Sequence, residues 1–218
     1  MHLPELEWQT MYARLAWGVV LAALLMTLCP RRFALSRRAV GVLLAGMIAL
    51  QALPGAASPS YWLGLAFLCP SGLLAGLCLA RLYLGGADQA HDRVMPNKLA
   101  LLLAVTGGAL YLDAMGLISA GFYYWGFGPN AAPLLALLLA VGSALAIFRD
   151  TCRVQACALL LAVIGFTVLR LPTGNLWDAL LDPLLWGWAL VSLARQALRK
   201  TPPLQGSQQF ANNKESSL

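Results

Sequence analysis

The chain has 218 residues and a formal charge of +6, and it is 60% hydrophobic but only 11% charged. Soluble domains sit nearer half apolar and a quarter charged, so the composition excludes an ordinary water-soluble globule. Apolar runs of about 17–25 residues, long enough to cross a bilayer as helices, recur along almost the whole length. The expected fold is an all-α polytopic membrane protein, with a helical bundle over residues 1–200 and a disordered cytoplasmic tail over 201–218.

The opening segment MHLPELEWQT carries Glu5 and Glu7 and lacks the basic start of a secretory leader, so the first apolar run is expected to be retained. Leu28 immediately before Cys29 argues against a lipoprotein-type cleavage site. Seven hydrophobic segments then follow in order: Met11–Cys29, Ala39–Leu53, Tyr61–Leu84, Leu99–Ile118, Ala131–Phe148, Val154–Leu171 and Ala179–Arg195. The second and last are short for a span and need flanking residues or local bilayer thinning. Pro and Gly punctuate the turns, as in LPGAASPS, GFGPN and LPTGN.

Basic residues alternate between the loops. Arg31, Arg32, Arg37 and Arg38 fall in the first, Arg93 and Lys98 in the third, and Arg149 and Arg153 about the fifth. Arg195, Arg199, Lys200 and Lys214 belong to the C-terminal segment, and Arg81 lies at the same side of the third helix. The second and fourth loops hold no Lys or Arg. The positive-inside rule therefore places the N-terminus outside and the C-terminus in the cytoplasm, at an inner (plasma) membrane. The net positive charge is this loop bias, and it does not indicate a nucleic-acid partner. Trp8, Tyr61, Trp62, Tyr123, Tyr124, Trp125 and Trp177 fall near the predicted outer interface, where amphipathic rings are favoured.

The second and third helices share a pattern with the sixth and seventh. Each pair has LP at its outer end, then Trp, then a mid-helix proline (Pro70 and Pro183), then LAR at the cytoplasmic end. Two parallel three-helix units joined by the fourth helix would follow. That layout resembles the three-one-three plan of the SWEET sugar carriers, which also run N-outside and C-inside. The resemblance is architectural, and the paired Pro-Gln motifs of that family are absent. Gly72, Gly76 and Ala80, and Ala132, Ala136, Ala140 and Ala144, recur at four-residue spacing, which lets helix backbones approach closely in lipid. Pro70 and Pro183 are expected to kink their helices and to leave carbonyls that need other partners.

Charges near the predicted outer face supply the candidate site. Asp113 falls about 20 Å along the fourth helix, where an acid should face the bundle or a wet cavity. Arg170, at the outer end of the sixth helix, is the expected partner of Asp113. Asp178 and Asp182 stand four residues apart at the start of the seventh helix, hence on one face, in positions that suit capping and the helix dipole. With Asn175, Thr173 and Tyr124 of the GFYYWGFGPN loop, these residues could line a polar vestibule under an aromatic rim.

Other chemistry is sparse. The five cysteines lie within helices or toward the cytoplasmic side, so structural disulfides are not expected. His2 and His91 are the only histidines; DQAHD offers Asp88, His91 and Asp92 as a weak ligand set, better read as a solvated loop. No phosphate loop, HExxH or nucleophile elbow occurs. No metal or cofactor is expected. Three functions remain open: a non-enzymatic subunit or assembly factor of a membrane complex, a small solute or lipid carrier using the outer vestibule, or an intramembrane enzyme on a lipid-linked substrate. Expected partners are membrane lipids and another membrane protein.

Overall fold

The computed structural model describes residues 5–29, 36–85 and 94–200. Ten α-helices and no strand occur among them. They are α1 (Leu6–Leu28), α2 (Arg37–Gln51), α3 (Pro59–Phe67), α4 (Gly72–Leu84) and α5 (Asn97–Ala114), then α6 (Phe122–Trp125), α7 (Ala131–Phe148), α8 (Arg153–Leu169), α9 (Leu176–Leu180) and α10 (Pro183–Lys200). Residues 201–218, expected to form a tail, the DQAHD loop and most of the first basic loop lie outside the described residues.

α1 and α7 are long and apolar enough to cross a bilayer, while α4 and α8 are apolar but shorter. α7 reverses the pattern of a soluble amphipathic helix. Its buried residues are the small Ala132, Ala136 and Ser143, whereas Leu134, Leu137, Leu138 and Phe148 point outward. A contiguous exposed apolar face of this kind wants a nonaqueous surrounding or a partner.

The predicted third and seventh segments are not continuous helices. The third breaks between α3 and α4 over residues 68–71, and the seventh between α9 and α10 over 181–182. Pro70 and Pro183 cannot donate an N–H to the helix ladder, and the chain starts afresh at both places. Asp182 as N-cap with Pro183 at the first helical position is a favourable start. Ser71 plays the same capping role for α4, its Oγ accepting from Leu74 N at 3.1 Å. The carbonyls freed at the first break are taken by α1: Tyr12 Oη donates to Pro70 O at 2.7 Å, and Trp17 Nε1 to Leu68 O at 3.2 Å. The fourth segment also ends earlier than expected, at Ala114 and not Ile118, because Gly116 turns the chain with φ +76°.

The helices pack as a row, α2–α1–α4–α8–α7, with α3 against α1 and α9 against α8 and α4. α5 and α10 form a second pair, joined to the row through one core that includes Val19, Leu77, Leu103, Phe166 and Leu185. Small residues set the close approaches. A Cβ on Gly72 would lie 2.9 Å from Ala162 Cα, and one on Gly76 would lie 2.9 Å from Ala158 Cβ. Trp186 lies over Gly107, where a Cβ would clash with the indole, and its Nε1 donates to Ala104 O at 3.0 Å.

The packing departs from a parallel repeat. α1 touches both α2 and α4, but the corresponding α7 packs on α8, while α10 packs on α5. Matching hydropathy and proline positions do not carry over into matching neighbours.

Candidate functional site

Asp113 sits in the last turn of α5, where the helix dipole disfavours an acid. Three backbone amides offset that cost. Oδ1 accepts from Ala120 N at 3.0 Å and Gly121 N at 2.8 Å, and Oδ2 accepts from Tyr123 N at 2.8 Å. The carboxylate thus folds the 115–121 turn back on its own helix and starts α6. The expected Asp113–Arg170 ion pair is not formed. Both Asp113 oxygens are taken by amides, and the Arg170 guanidinium lies over the Phe166 ring, 5.1 Å from its centroid. Arg170 closes α8 in the left-handed region at φ +55°, which turns its side chain back along its own helix.

The turn ordered by Asp113 delivers Tyr123 to Asp178. Tyr123 Oη donates to Asp178 Oδ1 at 3.1 Å, and Thr173 Oγ1 donates to Oδ2 at 2.5 Å. The Tyr123 phenol is pushed up to about 12 by burial and by the neighbouring Asp178 charge. Asn175 is fully buried, and its Oδ1 accepts from Trp177 N at 2.9 Å. Its Nδ2 has no hydrogen-bond partner. Gly126 permits this packing, since a Cβ there would overlap Asn175, and its carbonyl accepts from Leu176 N at 3.1 Å. Trp177 Nε1 closes the clasp on Phe122 O at 2.9 Å. Tyr124 points away and is 72% exposed.

Asp182 belongs to a different place. The expectation that Asp178 and Asp182 share one helix face is corrected by the break at 181–182, where Leu181 is extended at φ −144° and removes the helical register. Asp182 Oδ1 accepts from Leu185 N at 2.7 Å, capping α10, while Oδ2 accepts from Ser71 N at 2.5 Å, the N-cap residue of α4. One carboxylate therefore holds both helix breaks together, at the ends of two positive half-helix dipoles.

Of the six candidate residues, the structure brings Asp178 and Asn175 into one polar clasp and ties Asp113 to it through Tyr123. Arg170, Tyr124 and Asp182 lie apart from that clasp. Among the described residues no group of three or more His, Cys, Asp and Glu converges as metal ligands. Sequence reasoning passed over Tyr123 as a ligand, Ser71 as the second helix cap and the fully buried Gln51. Ser71, directly after Cys-Pro and three residues before Leu74, carried a readable capping signal. The others are defined by contacts more than 50 residues apart or across a turn, which no local pattern encodes. Comparison with known protein families, with curated proteins and with solved structures finds no match to this chain.

Proposed function

We propose that the chain is a multi-pass inner-membrane bundle of seven passes, N-terminus outside and C-terminus cytoplasmic, serving as a non-enzymatic subunit or assembly factor. In this reading α3–α4 and α9–α10 each make one interrupted pass. The observation that carries it is the commitment of the outer acids: Asp113, Asp178 and Asp182 accept seven hydrogen bonds from Ala120, Gly121, Tyr123 (twice), Thr173, Ser71 and Leu185. Groups so engaged hold loops and helix starts and are poorly placed to turn over a substrate. The outward apolar face of α7 suits contact with lipid or with another membrane subunit.

A carrier is the second reading, favoured by the two interrupted helices that meet at Asp182. Broken helices meeting near mid-membrane are the usual frame of secondary-transporter sites. Native mass spectrometry of the chain released gently from its own membrane separates the two. A stoichiometric protein partner is the expected result. The chain alone, together with solute flux that Asp182→Asn abolishes at unchanged abundance, would overturn the subunit reading in favour of the carrier.

A further inference from the structure

A cleft of about 290 Å³ opens between the first turns of α1 and the α2–α3 connection. Its polar wall is made by Gln9, Thr10, Arg14, Ser58, Ser60 and Tyr61, and no acid lines it. Arg14 is exposed, about 12 Å along α1 from Leu6, and it forms no salt bridge among the described residues. A guanidinium placed inside a long apolar helix disfavours insertion, less so toward the ends, unless an anion accompanies it.

The hydrogen bonds show which groups are free. Ser58 Oγ donates its one proton to Gln51 O at 3.0 Å, so the 2.7 Å contact between Ser58 and Ser60 must use the Ser60 proton. Gln9 Nε2 gives one of its two protons to Pro172 O, and Thr10 Oγ1 gives its only proton to Leu6 O. Gln51, fully buried and bonded through Oε1 to Ser60 N, keeps an Nε2 with no partner beside this serine wall. The open donors lining the cleft are therefore Arg14, the Tyr61 hydroxyl and the second Gln9 Nε2 proton, and its open acceptors include Ser60 Oγ and Gln9 Oε1. Met11 and Leu15, which flank Arg14 on α1, are both exposed apolar residues.

We propose that this cleft binds the phosphate headgroup of a membrane phospholipid. Arg14 and Tyr61 hold the phosphate, Ser60 and Gln9 accept from a hydroxyl or ammonium of the headgroup, and the acyl chains run over Met11 and Leu15. The volume of about 290 Å³ falls just below the range of about 300–1,000 Å³ in which pockets enclose whole small ligands, which fits a headgroup with its chains left outside. A guanidinium beside the free Tyr61 hydroxyl, without a competing acid, matches a phosphate by charge.

The test uses the full chain in detergent, delipidated and then reloaded with phosphatidylglycerol, with uncharged diacylglycerol or with inorganic phosphate alone. Native mass spectrometry reads the bound mass, and the shift in Tm reads protection. The expected result is one phosphatidylglycerol per chain and none of the diacylglycerol. Retention should fall by roughly tenfold in Arg14→Gln, the equivalent of one lost charge-assisted hydrogen bond, and should be unchanged in Arg149→Gln, which alters an exposed arginine elsewhere. Tyr61→Phe, which keeps the ring, should weaken retention less. Equal retention by the wild type and Arg14→Gln overturns the site. Protection by inorganic phosphate alone, equal to that by the lipid, overturns the lipid as its source.

Discussion

Asp113 shows how a single residue is read one way from its neighbours in sequence and another from its neighbours in space. An acid in an apolar run asks for a countercharge, yet here backbone N–H groups answer it, because Gly116 and Gly121 turn the chain back within reach at φ +76° and +71°. Amide hydrogen exchange at Ala120, Gly121 and Tyr123 should quicken in Asp113→Asn, on the order of tenfold, since the new NH₂ cannot accept from one of them. Exchange unchanged at all three amides would show that the turn holds without the acid. Asp178 is held differently, by the hydroxyls of Tyr123 and Thr173.

The elements that matter most are the two interrupted helices. A proline in an apolar run predicts a kink, and Asp-Pro predicts a helix start; the structure realises the second at α10 and a full break at α4. What joins them is Asp182, which caps α10 and accepts from Ser71 N. Asp182→Ala removes a cap and a buried charged hydrogen bond together, and should destabilise the bundle by about 2–4 kcal/mol. Asp182→Asn keeps one acceptor and should lose less. Comparable unfolding midpoints for all three chains would mean that the breaks are held by packing alone. Tyr12 and Trp17 of α1 complete the joint by taking the carbonyls of residues 70 and 68, so α1 is a structural part of the first break.

At the scale of the whole molecule, the α4–α8 seam connects the α2–α1 side of the row to α7. Gly72 and Gly76 face Ala162 and Ala158 there with almost no space, so the cost of a larger side chain falls on backbone. Gly76→Leu should cost about 3 kcal/mol or more and disperse the elution profile of the purified protein. Gly46→Ala, on α2 with open space around it, should gain about 0.5–1 kcal/mol from helix propensity. If both changes were equally tolerated, the seam would not be what unites the row.

The sequence by itself determined that the chain is helical and apolar and which runs form helices. Yet it read Pro70 and Pro183 as kinks where the structure has full breaks, and it carried the fourth helix past the Gly116 turn that ends it. It reached the limits of α7 to the residue and those of α8 to within two. These are local properties, carried by propensity, by hydropathy and by missing N–H groups. Partners across the bundle were decided only by tertiary structure. A carboxylate has no preference in the sequence between a guanidinium and a backbone amide; distance alone chooses, and the turn after α5 puts amides nearer to Asp113 than Arg170. The same holds for the parallel units, because apolar helices resemble one another in composition while their neighbours are set by which small residues meet. Arg14 escaped a reading built on loop charges because it stands inside a helix, and only the cleft beside it made it visible.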